Sequence, residues 1–183
     1  MGPRNKLLCD IDGLPMLRHA VDAACASRCV QTLVVSGHDA LAVEAALACC
    51  PVTLVRNCGY ADGLSSSLAC GLQALPEAID GVVVLLGDMP RIRASHIDQL
   101  IAVADRNRTA IIVPERQGRR GNPVLWPRCY FPALLSLSGD QGGRALLERY
   151  AACVRRVDFE DDAIFSDIDT PEALAQQARA QST

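Results

Sequence analysis

An aspartate stands at the end of an apolar run in Val82-Val83-Val84-Leu85-Leu86-Gly87-Asp88-Met89-Pro90. Gly87 lets the backbone come close to a ligand, and Pro90 stops the strand from continuing, so Asp88 is presented rather than paired. A carboxylate in that place either closes a turn or binds a cation. Three other segments hold polar residues that packing does not require. Residues 57–67, Asn-Cys-Gly-Tyr-Ala-Asp-Gly-Leu-Ser-Ser-Ser, put two glycines and three serines at a helix start. Such amides and hydroxyls suit a ribose, a base edge or a phosphate. Residues 117–123, Gln-Gly-Arg-Arg-Gly-Asn-Pro, form a basic, glycine-bearing loop whose arginines either meet an anion or are simply solvated. In residues 166–171, Asp167 and Asp169 alternate around Ile168, which lets two carboxylates reach the same cation as Asp88. Oxygen ligands without histidine or cysteine favour magnesium over zinc. Magnesium usually binds through one or two carboxylates plus substrate phosphates, so the pattern points to phosphate chemistry.

These loops need elements to hold them, and apolar periodicity supplies the expectation. Helices are predicted at 15 to about 27, 40–49, from Ser65 or Ser66 as a cap to about 75, 95–106 with Ser95-x-x-Asp98 as a capping-box variant, 140 to about 150, and from the Thr170-Pro171 pair onward. Strands are predicted at 32–37, 52–55, 82–86 and 110–114, with an edge strand at 154–159. The run at 82–86 has the β-branched content of a strand covered on both faces. Alternation of helix and strand implies a layered α/β fold with a mainly parallel sheet, which places ligands beyond the carboxyl ends of its strands.

Composition narrows the function. The chain has 183 residues, a formal net charge of -3 and half of its residues apolar, which fits one domain over 1–183 with a sizeable core. There is no basic field for nucleic acid or a membrane surface, and no run long enough for a membrane span. No export leader is recognisable, so a cytoplasmic protein is expected. The nine cysteines are odd in number and contain no C-x-x-C, which argues for reduced, small apolar residues rather than a zinc or iron-sulfur site. The three histidines, His19, His38 and His96, are dispersed, and surface or capping roles are expected for them.

Six segments in order along nearly the whole chain resemble the motifs of one family: residues 5–8 (Asn-Lys-Leu-Leu), 63–67 (Gly-Leu-Ser-Ser-Ser), 86–90 (Leu-Gly-Asp-Met-Pro), 121–126 (Gly-Asn-Pro-Val-Leu-Trp), 138–142 (Ser-Gly-Asp-Gln-Gly) and 167–171 (Asp-Ile-Asp-Thr-Pro). The family is that of the molybdenum cofactor cytidylyltransferases, within the broader molybdopterin nucleotidyltransferases. The resemblance implies a Rossmann-like (GT-A-like) α/β fold with helices on both faces. It also implies magnesium-dependent transfer of CMP from CTP to the phosphate of molybdenum-molybdopterin, with release of pyrophosphate. By the same resemblance, Lys6 neutralises nucleotide phosphates, while Gly63, Leu64, Ser65, Ser66 and Gly87 surround the nucleotide. Asp88 binds magnesium, with Asp169 as a second metal or substrate contact. Gly121, Asn122, Pro123 and Asp140 lie on the acceptor side, and a molybdenum hydroxylase apoenzyme or its chaperone is the implied downstream partner.

The chain departs from the family at its start. Relatives of that group open with a strand and a loop of the form Leu-Ala-Ala-Gly-x-Ser-x-Arg-Met-Gly, whereas this sequence begins within the loop, at Met1-Gly2-Pro3-Arg4. The expectation is therefore a true start further upstream, and a 183-residue form lacking a central strand and a phosphate cradle. The rivals are a related nucleotidyltransferase with another base or acceptor, and a non-catalytic carrier of the cofactor. An oxidoreductase is disfavoured by the lack of a G-x-G-x-x-G after a strand.

Overall fold

A computed structural model describes residues 5–140 and 142–165. The elements in chain order are β1 (Asp10–Ile11), β2 (Leu14–Pro15), α1 (Met16–Cys25), β3 (Leu33–Ser36), α2 (Ala40–Ala46), β4 (Thr53–Arg56), α3 (Leu64–Gln73), β5 (Gly81–Val84), α4 (Ala94–Arg106), β6 (Ile111–Arg116), β7 (Arg119–Arg120), β8 (Val124–Pro127), α5 (Phe131–Leu135), α6 (Arg144–Arg149) and β9 (Val154–Asp158). Asp167, Asp169 and the helix expected from Thr170-Pro171 lie outside the described residues.

The alternation of helix and strand yields an α/β nucleotidyltransferase-like fold with helices on both faces. The strand pairings are mixed. β3 pairs β4 and β6 pairs β9 in parallel, whereas β8 joins β5 and β6 antiparallel, and β7 returns antiparallel on β6. The departure from a mainly parallel sheet has a local cause. The 117–123 loop turns the chain straight back, with Gln117 and Gly118 both at positive φ, so the next strand must run against its predecessor.

Side-chain alternation assigns the two layers. On β5, Val82 and Val84 pack towards a cluster containing Trp126, Phe131 and Leu134, while Val83, and Leu85 just beyond the strand, pack towards a cluster containing Ile97 and Leu100 of α4. The strand is thus covered on both faces, as the run of valines predicts. On β3, Val34 faces Leu17 and Val43 of α1 and α2. A Cβ placed on Gly71 of α3 would lie 3.0 Å from Val35, which puts α3 on the opposite face.

Yet Val82, Val83 and Val84 are only half-buried. The reason is lateral. Among the described residues β5 has a single hydrogen-bonded neighbour, β8, and β3 has only β4. The bare edges of β3 and β5 border one cleft of about 1540 Å³, whose wall also includes Leu17, Leu68 and Ile97 from helices of both layers.

Several local expectations are corrected. α3 begins at Leu64 with Gly63 as its N-cap rather than a serine. α4 starts at Ala94 and is capped through His96, whose Nδ1 accepts from the Arg93 N–H, while Asp98 turns away to accept from the Arg28 N–H. The helix expected from Asp140 begins at Arg144, because Gly139 at φ +63 and the turn after it delay the helix. The strand expected over 82–86 is hydrogen-bonded only at Gly81–Val84. α5 has no counterpart in the sequence-based reading. None of the described helices is long and apolar enough to cross a membrane.

Candidate functional site

Lys6 enters the site from a short 3-10 turn, Lys6–Leu8, whose first residues are fixed by Asn5 Oδ1 accepting from the Leu7 N–H at 3.1 Å. Leu7 rests against the residue before Asp88, since a Cβ on Gly87 would lie 3.4 Å from Leu7 Cδ2. This packing carries Lys6 to the carboxyl end of β5, where its Nζ lies 2.8 Å from Asp88 Oδ2. Both side chains are largely covered, at 29% and 17% exposure.

Asp88 Oδ1 is buried and accepts no hydrogen bond among the described residues. Glu115 Oε2, the other buried oxygen in that condition, has Arg156 Nη1 at 2.9 Å as a counter-charge. A buried carboxylate oxygen without a donor is costly unless a cation or a ligand donor reaches it. The oxygen chemistry at Asp88 therefore fits a hard divalent ion held by one protein carboxylate, with substrate phosphates completing its shell. Among the described residues no group of three His, Cys, Asp or Glu side chains could form an all-protein metal cage.

The serine loop is built around Asn57, a buried side chain that the sequence reading only passed through. Its Nδ2 donates to Ser66 Oγ at 2.8 Å and Ser67 Oγ at 3.1 Å, and its Oδ1 accepts from the Gly59 N–H at 2.9 Å. Ser66 Oγ in turn donates to the carbonyl of Gly63 or Gly59. Ser65 Oγ donates to the Gly139 carbonyl at 2.7 Å, and its N–H reaches the same oxygen at 3.1 Å. The surplus of serines thus has an internal explanation: these hydroxyls hold the loop in shape and tie it to residues 139–140. Gly63 is obligatory twice over. Its φ is +96, and a Cβ there would lie 2.5 Å from the Gly139 carbonyl carbon and 2.7 Å from Asp140 Oδ1. Leu64 is half exposed beside Gly142.

On the other side, the Gly121 N–H donates to the Pro114 carbonyl and the Asn122 N–H to the Ile164 carbonyl, both at 2.9 Å. A Cβ on Gly121 would lie 2.9 Å from Ile164 Cβ, so the loop needs glycine to seat against the 162–165 turn. The Asn122-Pro123 peptide is cis, and Pro123 is fully buried. Arg119 lies over the Phe165 ring at 4.4 Å, while Arg120 is exposed.

The structure thus joins Lys6 with Asp88, and Gly63 and Ser65 with Gly139 and Asp140. Leu7, Leu64, Gly87, Gly121 and Asn122 all lie on the wall of the long cleft that β3 and β5 border. Asp169 lies outside the described residues.

Residues 1–154 match the model of the MobA-like NTP transferase domain. The purine catabolism protein PucB of Bacillus subtilis is 31% identical over 66% of this chain, a match spanning 58% of PucB. The nicotine blue oxidoreductase of Paenarthrobacter nicotinovorans is 26% identical over 95% of this chain and 88% of its own length. Among solved structures, the manganese complex of Rv0371c from Mycobacterium tuberculosis superposes with a TM-score of 0.81 at 25% identity, covering 96% of this chain and 91% of that one.

Proposed function

The chain belongs to the family of the MobA-like NTP transferase domain, and from that premise we propose that it transfers CMP from CTP to the phosphate of molybdenum-molybdopterin, releasing pyrophosphate. The observation that carries this reading is the Lys6–Asp88 pair with Asp88 Oδ1 buried and, among the described residues, unbonded. In the reaction, an oxygen of the pterin phosphate attacks the α-phosphorus of CTP in line. One P–O bond forms, the bond to the bridging oxygen breaks, and the electron pair departs with pyrophosphate. No protein nucleophile is needed, because positioning and charge compensation carry such a transfer.

Lys6 offsets negative charge on the phosphates. Asp88 would hold magnesium, with Asp169 as a second candidate ligand. When bound, the ion neutralises and orders the phosphate oxygens. Gly63, Leu64, Ser65, Ser66 and Gly87 form the nucleotide side, and Gly121, Asn122, Pro123 and Asp140 the acceptor side. The manganese in the Rv0371c complex supports a divalent ion in this class of fold. All nine cysteines are unpaired, which suits the reducing cytoplasm, where a molybdenum hydroxylase apoenzyme or its chaperone would receive the product.

A β-strand laid along the cleft between β3 and β5 belongs to the same proposal. Leu7 and Gly87 meet at one end of that cleft, so an apolar segment running up the cleft and into Lys6 would pair both bare edges and lie parallel to β5. Pyrophosphate release from CTP, GTP and ATP with the molybdenum pterin, measured for the 183-residue form and for one extended upstream, tests both parts. Turnover with CTP, faster in the extended form, is expected. Equal turnover in the two forms would exclude the added strand.

A second reading follows from the relative that matches almost from end to end, which is named as an oxidoreductase. Oxidation of a nicotinamide cofactor with a dye acceptor, without pyrophosphate release, would favour it. Binding of the pterin with neither activity would favour a cofactor-delivery role.

A further inference from the structure

His96 is 3% exposed and, besides capping α4, belongs to none of the site groups described above. Its Nδ1 accepts from the Arg93 N–H at 3.2 Å, which in the neutral ring puts the proton on Nε2; that nitrogen faces both Asp161 Oδ2 at 3.2 Å, which can accept it, and Arg93 Nη2 at 3.0 Å. Arg93 Nη2 contacts the same carboxylate oxygen, and Asp161 Oδ1 accepts from the Ala163 N–H at 3.0 Å. The edge of the Phe159 ring meets the imidazole at 5.6 Å and 78°. One side of the 159–165 turn is therefore bolted to the N-terminus of α4.

Both ends of this bolt lead to the site. The first turn of α4 follows directly on the Asp88 turn, with the Ile92 N–H donating to the Met89 carbonyl at 3.3 Å. The far side of the 159–165 turn receives the Asn122 N–H on the Ile164 carbonyl. Three side chains thus connect the carboxylate turn at 88 to the loop at 121–123 by a path that bypasses the sheet.

We infer that His96, with Asp161 and Arg93, is a positioning group that sets the 121–123 loop relative to Asp88 and so governs the acceptor side of the reaction rather than the nucleotide side. The inference rests on the acceptor-side role proposed for Gly121, Asn122 and Pro123. His96→Asn keeps an acceptor for the Arg93 N–H but is too short for Asp161. His96→Gln can reach Asp161 as a donor.

Hydrogen exchange in the 183-residue chain, with no substrate present, is the first readout. Peptides covering 120–125 are expected to exchange about tenfold faster in His96→Asn and near the wild-type rate in His96→Gln, with peptides covering 57–67 unchanged. Unaltered exchange at 120–125 in His96→Asn would overturn the inference whether or not the chain is a cytidylyltransferase. The second readout is steady-state transfer in the form that turns over. KM for the pterin is expected to rise about tenfold in His96→Asn, with KM for CTP within twofold and recovery in His96→Gln. Parallel rises in both KM values, or no rescue by glutamine, would mean a general structural role and overturn it as well. Absence of transfer in wild type would reject the proposed reaction while leaving the exchange result to decide the bolt.

Discussion

Asp88 and His96 show how differently two polar side chains can sit in one core. Asp88 has one oxygen on Lys6 and the other buried without a donor among the described residues, which stabilise it little. A partly covered ion pair of this kind contributes about 1 kcal/mol or less. Asp88→Asn is therefore expected to reduce pyrophosphate release by at least about 100-fold. The urea midpoint should stay close to wild type, and retained turnover would rule Asp88 out as the proposed metal ligand. His96 is the reverse case, with its interactions satisfied within the fold. Burial lowers its pKa below the usual histidine value, opposed by Asp161 and reinforced by Arg93. For Asp161, burial pushes upward, but the Ala163 N–H, His96 and Arg93 together bring it below the ordinary carboxylate value. The unfolded chain thus binds the histidine proton more readily than the folded one. The contribution is fully present above the unfolded value near 6.5 and is lost as pH falls below it. Thermal melts from pH 7.5 to 5.5 should show a decline that is absent in His96→Gln. An identical decline in both proteins would assign the effect to other groups.

At the scale of elements, the decisive contacts join segments far apart in sequence. The start of α3 is held to the 139–140 turn by Ser65 and by the close approach at Gly63. Gly63→Ala must move that turn or force an alanine into φ near +96, at a cost on the order of 1–3 kcal/mol. Chemical denaturation should report a loss in that range, whereas Ser65→Ala, which removes one hydrogen bond, should lose about 1 kcal/mol. If Gly63→Ala proved no worse than Ser65→Ala, the close contact would be softer than its geometry implies. The same elements explain why the capping expectation at Ser95 and Asp98 failed. Arg28 offers Asp98 a tertiary partner, and His96 fills the capping position from one turn inside the helix. A pattern read within four residues has no access to a partner 70 positions away.

For the molecule as a whole, the cleft between β3 and β5 outweighs any single side chain. Among the described residues, two bare apolar edges with helices above and below form a layered sheet lacking one hydrogen-bonded neighbour on each side. Filling it with a strand of four or five apolar residues should raise the melting temperature by on the order of 10 °C, from burial of about 1.5–3 kcal/mol per large side chain less the entropy of ordering it. An extended form that melts no higher than the 183-residue form would count against a strand in that place. Much of this architecture was legible beforehand. The valine run, the helix periodicities and the turn residues at 87, 90, 121 and 123 are local properties, and local sterics and apolar spacing determine them without reference to distant parts of the chain. Even the carboxylate at Asp88 was legible as a ligand candidate, because a strand end, a glycine and a proline present it. What only the tertiary structure decided was partnership. Lys6 reaches Asp88 across 82 positions, the serine hydroxyls turn inward to Gly139, Gly63 and Gly59, and His96 meets Asp161 across 65 positions. Long-range pairings depend on how whole layers pack, and the residues that make them carry no mark of their partner in the neighbouring sequence.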